Sequence, residues 1–372
     1  MAHLRKLSVL IATLTLLAGC GGSAAAPSQP ASSAAPAKPA SSAAAPTASA
    51  SAQPAGSSPA KPAASAAGTT KLTIIYSANS VDQTPAWAAL DGGYFKQNGL
   101  DVNMEYVAGG TKTTAALIAG QAQVSLQGGN EAMSAVSNGS DLVLIAGLLP
   151  VYGFKVEAAP KRTDIKTVAD LKGKKLGVST IGGTADVALR SFLKKNGIDP
   201  DKDVTIIATG DPTTTQGALT SGAVDASMAV PPNSLIAEKA GTHPIADLAS
   251  IPNAQNSVTV RRDWLDANKP VAQELVDSLI EGLARIKKDK AFTEGLWKKY
   301  LKFDDQEGLD YTYDFFSTKI WPEYPHIKAD QLADGLAVLS QKNEKLKNFD
   351  VNKMLDDSFV QDAEKRGVAS KV

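Results

Sequence analysis

The chain has 372 residues, with 38 basic and 38 acidic side chains and a formal net charge of zero. That balance, with no Lys/Arg cluster backed by aromatic residues, argues against nucleic acid as a partner. A single cysteine excludes an intrachain disulfide and any Cys-x-x-Cys pair for metal or redox work.

The first residues read as a secretory signal. Arg5 and Lys6 form a charged start, and Leu7 to Leu17 form an apolar core too short to span a bilayer. Leu17-Ala18-Gly19-Cys20 resembles the bacterial lipobox, in which small residues fit the peptidase and the thiol takes lipid. Residues 1–19 are therefore expected to be a lipoprotein signal peptide, with Cys20 as the lipidation site. Its removal takes Arg5 and Lys6 and leaves a net charge of about −2. Residues 20–70 are almost entirely Ala, Pro, Ser and Gly. Without large apolar side chains nothing offsets the entropy of ordering them, so a disordered tether is expected. From Lys71 about 300 residues remain, ample for two lobes. The longest later apolar run, Leu142 to Val151, is strand-sized.

Leu72 to Ser77 alternates and is β-branched, which predicts a first strand. A polar mouth, Ala78 to Thr84, follows. Thr84 is the expected N-cap of a helix with Pro85 in its first turn, running through Trp87 to Asn98-Gly99. A strand from Leu100 to Val107 leads to the loop Ala108 to Thr114 and a short helix. Then come the strand Ala122 to Leu126, the turn Gln127-Gly128-Gly129-Asn130, another helix, and the apolar strand Leu142 to Ala146.

The programme then repeats. Leu176-Gly177-Val178 is a short buried strand, followed by the hydroxyl-rich loop Ser179 to Thr184 and a helix ending at Asn196-Gly197. The segment Lys194-Lys195-Asn196-Gly197-Ile198-Asp199 parallels Lys96-Gln97-Asn98-Gly99-Leu100-Asp101. The segment Ala218 to Ser227 parallels Ala116 to Ser125, and Ser179 parallels Ser77. Two similar β-α-β-α-β units are predicted, each able to build one lobe of a parallel sheet. Ligands gather beyond the carboxyl ends of such strands, so the natural pocket is the cleft between the units. Its walls would come in pairs: 77–84 with 179–184, 108–113 with 209–213, and 127–130 with 230–233. A loop running from a strand into a helix gathers free N–H groups and the positive end of a helix dipole, a mouth suited to an anion or a polar molecule. After Ile251 a strand at 257–260 and a long amphipathic helix from Arg262 to Asp289 are expected, then further helices that return over the first lobe.

The lipobox, the tether, the run from Thr84-Pro85-Ala86-Trp87 to Gly99-Leu100-Asp101-Val102, the Gly120 to Ser125 element, the Val168 to Val178 segment and Gly222-Ala223-Val224-Asp225-Ala226 together resemble solute-binding proteins of bacterial ABC importers. The subgroup is the nitrate/sulfonate/taurine and thiamine-precursor binding family. The resemblance implies an α/β fold of the periplasmic-binding-protein-like type II, with mixed sheets in two lobes. Lobe I would be 71–156 plus 258–372 and lobe II 157–257, joined by two hinge strands over one cleft. It implies a small-molecule solute, a membrane permease with a cytoplasmic ATPase as partner, attachment through lipid on Cys20, a monomer, and a place in the cell envelope facing the periplasm or exterior. Carried over by position, the solute contacts are Ser77, Asn79 and Thr84 with Thr180, Gly182, Gly183 and Thr184, joined by Thr111, Gly129 and Asp211. Trp87 and Tyr152 are aromatic candidates; core packing suits Trp87 better, and Tyr152 fits a wall or the hinge. No arginine lies in the mouth loops; Lys112 is their cation, and Asp82 and Asp211 leave room for a neutral or amino-bearing solute. Nitrate, sulfonate and heteroaromatic solutes stay open.

No cofactor or metal is expected. The cysteine is at the lipobox, His3 is in the signal, and His243 and His326 lie far in sequence from the mouths. No Walker A, His-x-x-x-His or Gly-x-Ser-x-Gly pattern occurs. Binding rather than catalysis is expected. A lipoprotein that senses a ligand for a membrane receptor, or an enzyme on the same fold, are the alternatives.

Overall fold

The computed structural model describes residues 69–372. The expected signal, Cys20 and the tether up to residue 68 lie outside the described residues. The first strand, β1, runs Thr70–Tyr76, so it takes in the last residue assigned to the tether.

In chain order the first half holds β1, α1 (Thr84–Asp91), α2 (Tyr94–Gln97), β2 (Leu100–Tyr106), α3 (Gly110–Ile118), β3 (Val124–Gln127), α4 (Gly129–Ser137), β4 (Leu142–Val151) and β5 (Lys155–Ala158). Next come β6 (Lys175–Val178), α5 (Thr184–Lys195), β7 (Thr205–Ala208), α6 (Pro212–Ser221), β8 (Ala226–Ala229), α7 (Asn233–Lys239), β9 (His243–Asp247) and β10 (Pro252–Arg261). The main C-terminal helices are α8 (Arg262–Ala267), α9 (Lys269–Lys288), α10 (Lys290–Tyr300), α11 (Gln306–Phe315), α12 (Ala333–Leu339) and α13 (Ser358–Lys365).

Two five-stranded sheets result, in the orders β2-β1-β3-β10-β4 and β7-β6-β8-β5-β9. The repeat is visible in them. β1 lies parallel between β2 and β3, and β6 lies parallel between β7 and β8. In each sheet an antiparallel strand then pairs with the third member, β10 with β3 and β5 with β8. β4 is apolar almost throughout and buried from Leu142 to Leu149, as a strand covered on both faces requires.

The chain leaves the first sheet after Val151 and re-enters it at Pro252, a few residues from the boundaries expected at 156/157 and 257/258. Two short segments therefore cross between the sheets. They are bonded to each other: the Tyr152 amide donates to the Ile251 carbonyl at 3.1 Å and the Leu248 amide to the Phe154 carbonyl at 2.9 Å.

The helix expected over 262–289 is two helices. Asn268 breaks the run at φ −135°, and Pro270 sits in the first turn of α9. Proline suits that turn but restricts the residue before it, so a continuous helix through 268–270 is disfavoured. α9 buries Ala272, Leu275, Val276, Leu279, Leu283 and Ile286 in the main core of the first lobe. Trp87 stands in the same core, stacked on Tyr300 at 4.7 Å. α12 goes further than the expected cover for the first lobe. It packs against α5 of the second, with Lys195 paired to Asp334 at 2.9 Å. Among the described residues no helix is long and apolar enough to cross a membrane.

Candidate functional site

A cleft of about 620 Å³ opens between the carboxyl ends of the parallel strands of the two sheets. That volume suits a small organic ligand. The first lobe lines it with Ser77, Ser80 and Asp82 after β1, Tyr106 at the end of β2, Gly109 to Lys112 at the start of α3, and Gly128 with Glu131 at the start of α4. The second lobe contributes Ser179, Thr180, Gly183, Thr184 and Ala185, then Gly210, Asp211 and Pro212, then Val230. Phe154 comes from a crossing segment and Gln255 from the start of β10.

Of the residues singled out in the sequence, the cleft gathers Ser77, Thr111, Thr180, Gly183, Thr184 and Asp211. Five others fall elsewhere. Thr84 is not an N-cap facing the mouth: a 3-10 turn at Val81–Gln83 precedes α1, and Thr84 is buried as the first helical residue. Its hydroxyl donates to the Val81 carbonyl at 2.5 Å and accepts the Trp297 indole N–H at 2.8 Å. Gly129 faces apolar side chains, where an added Cβ would come within 2.7 Å of Leu332 and 2.8 Å of Ala254. Tyr152 is wholly buried beside the crossing, its ring 6.2 Å from Phe154, and burial pushes its phenol pKa far up. Phe154 takes the wall position in its stead. Asn79 is exposed and off the cleft lining. Gly182, at φ +78°, lines a separate hollow of about 80 Å³ with Asp186, Arg190 and Val338.

Glu131, unmarked by the sequence reading, is the central polar group. It sits in the first turn of α4 and reaches across the cleft to α5. The Thr184 amide donates to its Oε1 at 3.2 Å and the Thr184 hydroxyl to its Oε2 at 3.1 Å. Its own amide also bonds it, so one carboxylate serves two helix N-termini from opposite lobes. Burial raises its pKa, and these bonds oppose the rise. Gly128 makes room for the arrangement: a Cβ there would overlap the Thr184 hydroxyl and the Glu131 carboxylate. Asp186 has a local role in keeping with its place near a helix start. It accepts the Gly182 amide at 2.8 Å and the Arg190 guanidinium at 2.7 Å. Asp211 caps α6 by accepting the Thr214 amide at 2.8 Å.

Asp82 differs from these. Gln255 donates to its Oδ2 at 3.3 Å, but its Oδ1 is buried without a hydrogen-bond partner. Burial pushes its pKa up to about 6, against the lowering effect of Gln255 and of the nearby Ser80 hydroxyl. Ser80 is itself buried, and its hydroxyl makes no hydrogen bond of good geometry. Lys112 is exposed and supplies the one lysine or arginine of the lining. Both histidines of the described region are engaged away from the cleft, His243 with the Ile165 carbonyl at 2.6 Å and His326 with Asp357 at 2.8 Å.

Two mixed α/β sheets, joined by paired crossings over a cleft, define the periplasmic-binding-protein fold. The chain belongs to the family described as NMT1/THI5 like, whose model matches residues 80–290. It is 27% identical over 175 residues to YtlA of Bacillus subtilis (strain 168), named as a binding protein; the match covers 46% of this chain and 52% of that protein. It is 28% identical over 124 residues to the nitrate/nitrite binding protein NrtA of Nostoc sp., covering 32% of this chain and 28% of that one. The chain thus spans about half, or less, of the length of these relatives. Among solved structures, a protein of Bordetella bronchiseptica RB50 superposes with a TM-score of 0.70 at 23% identity, covering 80% of this chain and 98% of that one. The periplasmic aliphatic sulphonate binding protein SsuA of Escherichia coli superposes at 0.63 with 19% identity, covering 77% and 97%.

Proposed function

We propose that this protein is the solute-binding component of an ABC importer, taking up one small molecule between its lobes and presenting it to a membrane permease served by a cytoplasmic ATPase. The observation that carries the reading is the cleft itself: about 620 Å³, lined from both lobes, with Glu131 of one bonded to Thr184 of the other. A bond across a cleft favours the closed arrangement, and a solute with contacts on both walls would add to it. Cys20 would carry the lipid that holds the protein at the cell envelope, and the Ala/Pro/Ser segment would give it reach. Binding fits better than catalysis, because YtlA and NrtA are named as binding proteins and the two histidines of the described residues are committed elsewhere.

The test is native mass spectrometry of freshly purified full chain, followed by a thermal-shift panel of small solutes. A co-purified solute, or a saturable rise in Tm that Gly183→Trp removes, is the expected result. Gly183 lines the cleft at φ −84°, so tryptophan is allowed there by the backbone and would fill the space. An unchanged ligand-induced rise in Tm in that variant would sink the site.

A further inference from the structure

The lobes also meet outside the cleft, where α12 of the first packs against α5 of the second. Apolar contacts seat α12 on its own lobe. Leu332, just before it, is buried in a core with Met133 of α4 and Leu144 of β4, and Leu336 and Leu339 pack against that core. Gly335 lets α12 lie close to α4, because a Cβ there would overlap the Asn130 side chain. The contacts of this segment with the second lobe are of another kind. Lys195 pairs with Asp334 at 2.9 Å, Lys342 pairs with Asp201 at 3.0 Å, and Lys194 donates to Gln341. Between these walls lies the hollow of about 80 Å³, with Ile181 on one side and Val338 and Leu339 on the other. Unfilled space forfeits dispersion contacts, so the polar pairs carry much of this seat. Exposed pairs are individually weak, which suits a contact that parts and re-forms.

A relay of charged groups joins the seat to the mouth of the cleft. Asp201 Oδ1, which accepts from Lys342, also accepts from Arg190 Nη1 at 2.7 Å. Arg190 Nε donates to Asp186 Oδ1 at 2.7 Å, and Asp186 Oδ2 accepts the Gly182 amide at 2.8 Å. Gly182 stands two residues before Thr184, whose amide and hydroxyl meet Glu131 in the cleft. Arg190 is 8% exposed and Asp186 2%, so the middle of the relay is held firmly while its ends reach the two contacts between lobes. α5 is therefore tied to the first lobe at both ends, through Thr184 to α4 and through Lys195 to α12. At 1.5 Å per residue these ties are about 16 Å apart. One tie alone would let the lobes pivot about it; two at that spacing fix their relative orientation.

Building on the solute-binding role proposed above, we propose that the seat of α12 on α5 is a second clasp that sets the balance between open and closed lobes, with Arg190 as the positioning residue that couples it to the mouth loop. Its pairs are made in the same arrangement as the bond of Glu131 to Thr184, and they break when the lobes part. A contact present in one of two arrangements shifts the equilibrium by its own free energy. Solute affinity is thus tuned from a place outside the cleft.

The experiment needs no solute. The full chain with Cys20→Ala carries spin labels at Ala115→Cys in α3 and Thr213→Cys in α6, exposed positions on opposite lobes and off the cleft lining. The distance between them is read by double electron–electron resonance. In Asp334→Asn the ratio of long to short distances should rise about two- to fivefold, while Asp334→Glu, which keeps the charge, stays near the parent. Arg190→Gln, which also cuts the relay, should raise the ratio further. Gly128→Val, which disrupts the bond in the cleft, is the reference for parted lobes, and the Tm of every variant is measured alongside. Unchanged or shorter distances in both Asp334→Asn and Arg190→Gln, with longer ones in Gly128→Val, would remove the clasp and leave the hinged cleft intact. A lower Tm in Arg190→Gln with no change in distance would overturn its positioning role. If Gly128→Val lengthens nothing either, the lobes do not part, and the clasp falls together with closure over a solute.

Discussion

The two principal mouths, Ser77 to Thr84 in the first lobe and Ser179 to Thr184 in the second, hold equivalent places in repeated units, yet their chemistry is opposite. Both follow the central strand of a parallel trio, β1 or β6, and both lead into a helix. In the second lobe the N–H groups at 182, 183 and 184 all have acceptors inside the protein. In the first lobe a 3-10 turn carries Asp82 inward and leaves one carboxylate oxygen bare. Shared topology therefore places both loops at one cleft without assigning them the same partner. The second-lobe mouth fastens the lobes together; the first-lobe mouth turns its carboxylate into the protein beside Ser80 and Gln255.

The strongest way to break that comparison is to stop the fastening. Gly128→Val puts a Cβ where the Thr184 hydroxyl and Glu131 stand. Since Gly128 has φ −66°, its backbone tolerates valine, and the cost falls on closure. Solute affinity should drop by about a hundredfold or more by calorimetry, equivalent to roughly 3 kcal/mol, with a small change in apo Tm. Retained affinity would show that the lobes need not meet at Thr184.

Next in size is the bare acceptor. The folded-state pKa of Asp82 is raised to about 6 from the ordinary 3.8, so the folded protein holds a proton that the unfolded chain has released. The stability from this group is present below about pH 4 and is lost as pH rises through about 6. At pH 7.5 Asp82→Asn should therefore stabilise the apo protein by about 3 kcal/mol. The difference from wild type should shrink as the pH is lowered toward 4, as chemical denaturation across that range would show. A destabilised Asp82→Asn at pH 7.5 would mean that the carboxylate has a partner in the fold after all.

The smallest expected effect is at the fastening hydroxyl. Thr184→Val keeps the shape and the amide bond to Glu131 but removes the hydroxyl bond. About 1 kcal/mol should be lost from closure, seen as roughly fivefold weaker solute binding. Equal affinity in the two proteins would place the closing energy elsewhere, for instance in the contact of α12 with α5.

Much of this was legible in the chain. β4 announced itself by a continuous apolar run, and α9 by its periodicity. The repeat between 97–125 and 195–227 foretold two like sheets, and strand-to-helix loops marked six lining residues before any coordinates. These are local features, set by side-chain alternation, turn residues and helix stops within a few positions. Thr84 and Gly129 were misplaced because a single turn of helix shift decides whether a loop residue faces the cleft or the core. The 3-10 turn at 81–83 supplied one such shift. Phe154 sits in a crossing segment and Gln255 near the start of β10, and the bond of 153 with 255 joins distant parts of the chain. Glu131 reads in sequence as an ordinary acid in a first helical turn; its partner Thr184 lies 53 residues away in the other lobe.

The sequence by itself determined the strands, the duplicated unit and the end of the sheets at which a ligand would gather, because each depends on neighbours along the chain. Only the tertiary structure decided which polar groups satisfy one another across the cleft and which are left bare. That outcome depends on distances of about 3 Å between loops of different lobes, where one carboxylate can serve two helix N-termini.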